Sequence, residues 1–108
     1  MGRRVVMAAN EAEVVKYMQE DVKSVVYFYS GRDSDSKELA PAFERLSSQY
    51  TGLRFIMGDM DGMQLLLQMC NLSACPTFAA VRKMISLDQL MYGDEARLEE
   101  FVKKFASA

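Results

Sequence analysis

Hydrophobic positions along the chain switch between two periods, and that switching predicts the elements. Val5 to Ala8 is a short apolar run. Asn10 follows as an N-cap with Glu13 three residues on, a capping-box arrangement, and Val14, Val15, Met18 and Val22 then recur at helical spacing. Ser24 to Tyr29 (SVVYFY) is β-branched and aromatic, the pattern of a central strand buried on both faces. Gly31 to Ser36 is polar and turn-rich. Beyond it Leu39, Phe43, Leu46 and Tyr50 draw one apolar stripe along a long helix, with Pro41 inside it and expected to kink the axis. Thr51-Gly52 ends that helix, and Leu53 to Met57 reads as another buried strand. A short helix from Met63 to Met69, capped by Asp59 or Asp61, comes next. Thr77 to Val81 and Leu87 to Tyr92 form a strand pair close enough for a hairpin. Gly93-Asp94 starts a last helix with Leu98, Phe101, Val102 and Phe105 on one face. The order β-α-β-α-β-α-β-β-α predicts an α/β fold, one sheet covered by helices on both sides.

Composition narrows the function. At 108 residues the chain is one domain, spanning 1–108, and half of it is hydrophobic with 26% charged, a globular balance. A net charge of −2 argues against general nucleic-acid binding. No apolar run is long enough to cross a bilayer, so no membrane partner is expected. The chain holds two cysteines and no histidine, which removes Cys/His zinc sites, serine–histidine triads and histidine acid–base chemistry. Met1-Gly2-Arg3-Arg4 leads into no apolar signal core, so the expected setting is intracellular, reducing and cytoplasmic, and the sequon Asn71-Leu72-Ser73 is read as chance.

Several local markers together resemble the thioredoxin family. They are the strand Val25-Val26-Tyr27-Phe28-Tyr29, then Lys37, Pro41 and Leu46-Ser47; the stretch Gly58-Asp59-Met60-Asp61; Ala74-Cys75-Pro76-Thr77-Phe78; and Tyr92-Gly93 before the last helix. The resemblance covers nearly the whole chain. It implies a thioredoxin fold, a central mixed five-stranded sheet flanked by four helices, with Pro76 in a cis peptide facing the functional loop. Counting back from Lys37 and Pro41, the family's Trp-Cys-Gly-Pro-Cys falls on Arg32-Asp33-Ser34-Asp35-Ser36, and its buried acid falls on Tyr27. A carboxylate at 33 and a hydroxyl at 36 cannot exchange disulfides. The resemblance therefore implies a degenerate site without dithiol–disulfide oxidoreductase activity.

The loop itself has two readings. Asp33 and Asp35, with Ser34 and Ser36, suit the start of a helix, where they cap free N–H groups and complement the dipole. They also offer a polar-ligand or cation site, since Asp33, Asp35 and Glu44 fall at positions 1, 3 and 12 of a calcium loop. Lys37, Glu38 and Pro41 contradict that spacing, and no metal or other cofactor is expected. Cys75, next to Pro76, is either a small side chain filling the groove floor or a thiol able to form mixed disulfides or sense oxidation. Asp33 and Asp35 would disfavour its thiolate and Arg32 would favour it. Cys70 reads as a core residue at a helix exit, and the four residues separating it from Cys75 leave a disulfide between them undetermined. Most of the nine methionines read as core filler, while Met60 is placed beside the groove by the resemblance.

The reading reached is a binding module. Its groove would be Arg32, Met60, Cys75, Pro76 and Gly93, taking a protein or an extended peptide by strand addition, in a monomer or weak dimer. A monothiol redox protein using Cys75 is the rival, and a structural subunit docking along its long helix is a third.

Overall fold

A computed structural model describes residues 5–69, 76–91 and 93–108. Five strands form one mixed sheet: β1 (Val5–Met7), β2 (Ser24–Tyr29), β3 (Arg54–Asp59), β4 (Thr77–Arg82) and β5 (Ile85–Met91), in the order β1-β3-β2-β4-β5. The first three run parallel, whereas β4 pairs antiparallel with both β2 and β5. The helices are α1 (Glu11–Gln19), α2 (Ala40–Gln49), α3 (Gln64–Met69) and α4 (Glu95–Ser107), with a 3₁₀ turn at Ser34–Lys37. The thioredoxin fold expected for the chain is the fold it has.

Alternation along the central strands sends side chains to two separate layers. Val25 and Tyr27 face α2 and α4 with Phe43, Leu46, Phe55, Phe78, Leu98 and Phe105. Val26 and Phe28 face α1 and α3 with Val14, Met18, Ile56, Met63 and Leu66. Because β2 carries apolar side chains at both parities it is buried throughout from Ser24 to Phe28. Among the described residues no helix is long and apolar enough to cross a membrane.

Three expectations are corrected. Pro41 does not sit inside a long helix. The segment breaks after the 3₁₀ turn, and Pro41 lies in the first turn of α2, where its missing N–H would have had no intrahelical partner. The short helix α3 is not capped by Asp59. Its free Leu66 N–H donates instead to the Glu11 carboxylate at 2.7 Å, so α1 caps α3. Val22, counted with the α1 stripe, falls beyond the helix end and is exposed. The capping box at α1 is present: Asn10 Oδ1 accepts from Glu13 N–H at 3.0 Å, and the Glu13 carboxylate reaches back to Ala9 N–H at 2.8 Å.

Candidate functional site

The loop joining β2 to α2 folds around one hydroxyl. Ser36 is fully buried. Its Oγ accepts from the Ser30 N–H at 2.9 Å and directs its proton toward the carbonyls of Asp33 at 2.8 Å and Ser30 at 3.0 Å. The Tyr27 hydroxyl, buried beneath, donates to the Ser36 carbonyl at 2.5 Å. Asp33 caps the 3₁₀ turn, with Oδ1 accepting from Asp35 N–H at 3.0 Å. Arg32, Asp33 and Asp35 are exposed, and Ser34 opens the 3₁₀ turn. The capping reading of the loop is thus realised on the 3₁₀ turn rather than on α2.

The end of β3 braces the other side of the loop. Asp59 Oδ1 accepts from Gly31 N–H at 3.1 Å and from Asp61 N–H at 2.9 Å. Asp61 accepts from the Ser30 hydroxyl at 3.1 Å and lies 4.0 Å from Arg32 Nε. A Cβ at position 31 would run into Asp59 Oδ2, so any larger residue there would displace the Asp59 carboxylate from its bond to the Gly31 N–H. Tyr29 closes this side with Lys37 Nζ 5.5 Å from its ring centre. Burial, then the nearby Asp59 charge, raises the Tyr29 hydroxyl above its ordinary pKa.

On the opposite side of the loop a cleft of about 540 Å³ opens between the starts of α2 and α4. Asp35, Glu38, Leu39, Pro76, Gly93, Asp94 and Glu95 line it. Gly93 approaches Leu90 closely: a Cβ would come within 2.8 Å of the Leu90 side chain, which would have to shift to admit it. Pro76 and Gly93 line this cleft together. Arg32 is not with them; it extends toward Asp61. Met60 is 8% exposed and packs in the α1/α3 layer. The strand end continues its alternation there, turning Asp59 and Asp61 toward the loop and Met60 inward. Cys70, Cys75, the Cys75–Pro76 peptide and Tyr92 lie outside the described residues. Asp33, Asp35 and Glu44 are spread over the turn and the middle of α2, and among the described residues no three Cys, Asp or Glu side chains cluster to hold a metal ion.

The residues overlooked in the sequence are Glu38, Leu39, Asp94 and Glu95 on the cleft, and Asp59 and Asp61 behind the loop. Asp61 carried a signal, for it is two positions from Asp59 on the same side of an extended chain. The cleft acids carried none, because each also fits a solvated helix end.

Residues 5–104 match the family model described as Thioredoxin. The chain is 30% identical to "Thioredoxin H-type" of Chlamydomonas reinhardtii over 94% of its own length and 90% of the relative's. It is 25% identical to "Thioredoxin 1" of Plasmodium falciparum, covering 95% of this chain and 99% of that one. The solution structure of oxidised thioredoxin from Plasmodium falciparum superposes with a TM-score of 0.86 at 24% identity, over 94% of this chain and 98% of that structure.

Proposed function

The chain belongs to the thioredoxin family, and from that premise we propose that it has given up dithiol exchange and works as a binding module for an extended protein segment. Supporting this is the sequence at the functional loop, Arg32-Asp33-Ser34-Asp35-Ser36, which offers no thiol where the family's two would stand. The observation that carries the reading is Ser36. Its hydroxyl is buried and bonded to three backbone groups, so the loop is built on an oxygen that has no redox chemistry. Tyr27, where the family's buried acid would stand, holds the Ser36 carbonyl by donating to it and is not a base at neutral pH. The open cleft beside Pro76 supplies the binding surface.

Reduction of insulin by dithiothreitol tests it. The expected rate is that of dithiothreitol alone at every protein concentration. A rate that climbs with protein concentration overturns the reading, and its loss in a Cys75→Ser variant would transfer the function to a monothiol at Cys75.

A further inference from the structure

The cleft is acidic on every side. Asp35 and Glu38 stand on the loop wall and Asp94 and Glu95 on the α4 wall, above a floor of Leu39, Pro76 and Gly93. No cation lines it. The cations nearest in sequence to the loop wall are engaged elsewhere: Arg32 extends toward Asp61, Lys37 lies over the Tyr29 ring, and Arg45 reaches Glu95 and Glu99 at 3.0 and 3.4 Å. Arg97, in the first turns of α4, is exposed and does not line the cleft. Asp94 has a structural duty as the α4 cap, accepting from Arg97 N–H at 2.9 Å. Among the described residues Asp35 and Glu38 have no cationic partner. In sequence, the stretch Cys70 to Cys75 that precedes Pro76 and the Tyr92 that precedes Gly93 carry no charge. A concave surface lined by one sign of charge concentrates the opposite charge and steers it inward.

We propose that this cleft selects extended segments carrying lysine or arginine, its apolar floor taking the intervening aliphatic side chains and stems while Asp35, Glu38 and Asp94 receive the cationic heads. This rests on the binding-module reading above and names the partner's chemistry. An extended segment fits because alternate side chains point the same way, so a cation–aliphatic alternation can place charges at the rim and methyl groups on the floor.

The test uses three short acetylated peptides, alternating lysine with valine, serine with valine and glutamate with valine, titrated into isotope-labelled protein. The amide signals of Glu38, Leu39, Gly93 and Asp94 should move with the lysine peptide, which should bind about tenfold more tightly than the serine peptide, the order expected of a few exposed charge pairs. Raising the salt should erase most of that difference. In an Asp35→Asn/Glu38→Gln variant the lysine peptide should weaken about three- to tenfold while the serine peptide is unchanged. Equal binding of the lysine and serine peptides, or a variant that keeps the preference, overturns the charge selection and leaves the binding module standing. If no peptide moves these signals, both fall. Movement of the same signals on dilution of the protein alone would assign the cleft to a second copy and also overturn the proposal.

Discussion

At position 36 one oxygen determines how the loop is held. A hydroxyl can accept from one backbone N–H and donate to a carbonyl in a space where a thiol is a weak donor and weak acceptor. Removing it leaves the half-buried Ser30 N–H without its acceptor, and an unmade buried hydrogen bond costs about 1–3 kcal/mol. We therefore expect Ser36→Ala to lower unfolding free energy by about 2 kcal/mol in urea, and Tyr27→Phe by about 1 kcal/mol through the bared Ser36 carbonyl. The double variant should cost less than the sum, since both act on one loop. Strict additivity would mean that the two bonds are independent. How far the sequence told this in advance differs by residue. The placement of Ser36 and Tyr27 was legible through the resemblance, but their hydrogen bonds were not, because they join backbone groups whose positions depend on the folded loop. The burial of Met60 was not legible from the resemblance, which places a segment, whereas alternation along the chain decides which of its side chains turn inward.

Among the elements, those with a strong period were legible and those set by end chemistry were not. SVVYFY could only be a strand buried on both faces, and Leu98, Phe101, Val102 and Phe105 could only be one helical face. The 3₁₀ turn before α2 was not visible, since its few residues share the helical pattern and only backbone bonding separates them. The β4–β5 turn was equally silent. Lys83 and Met84 both have positive φ, 52° and 65°, in a two-residue turn of the kind that favours Asn and Gly. The strain is held by α1: the Lys83 N–H donates to Glu20 O at 3.1 Å and the Met84 N–H to Met18 O at 2.6 Å. Met84 also packs against the α1/α3 layer, so its side chain has a use there. Lys83 is exposed and forms only a 3.6 Å surface pair with Asp21. Left-handed backbone costs an ordinary residue about 1–2 kcal/mol and asparagine less, so Lys83→Asn should raise stability by about 0.5–1 kcal/mol. A drop in melting temperature would show that the Asp21 pair outweighs the backbone strain.

For the molecule as a whole, the sheet divides the interior into two layers, with β2, β3 and β4 each sending alternate side chains to both, and the sequence announced both layers without announcing which strands are neighbours. Periodicity places a residue on a face; it is silent about pairing, so the order β1-β3-β2-β4-β5 was accessible only through the family resemblance. The α2/α4 layer holds the aromatic cluster. Phe43 lies 5.2 Å from Tyr27, 5.1 Å from Phe55 and 5.8 Å from Phe78 between ring centres, so it ties α2 to three strands at once. Truncating such a residue removes its transfer free energy and leaves a cavity, about 3–5 kcal/mol together. Against a total of about 5–15 kcal/mol for a domain of this kind, Phe43→Ala should take away a large share of the stability. Because the Phe43 N–H donates to the Leu39 carbonyl at 2.8 Å, the substitution should also loosen the loop wall of the cleft. The control is Ile85→Lys on the outermost strand β5, where the side chain is 59% exposed and a change should stay within about 0.5 kcal/mol. Near-ultraviolet circular dichroism and urea unfolding of the two variants should therefore diverge sharply. If Ile85→Lys proves as damaging as Phe43→Ala, the edge face of β5 is covered in solution, and the chain is not acting alone.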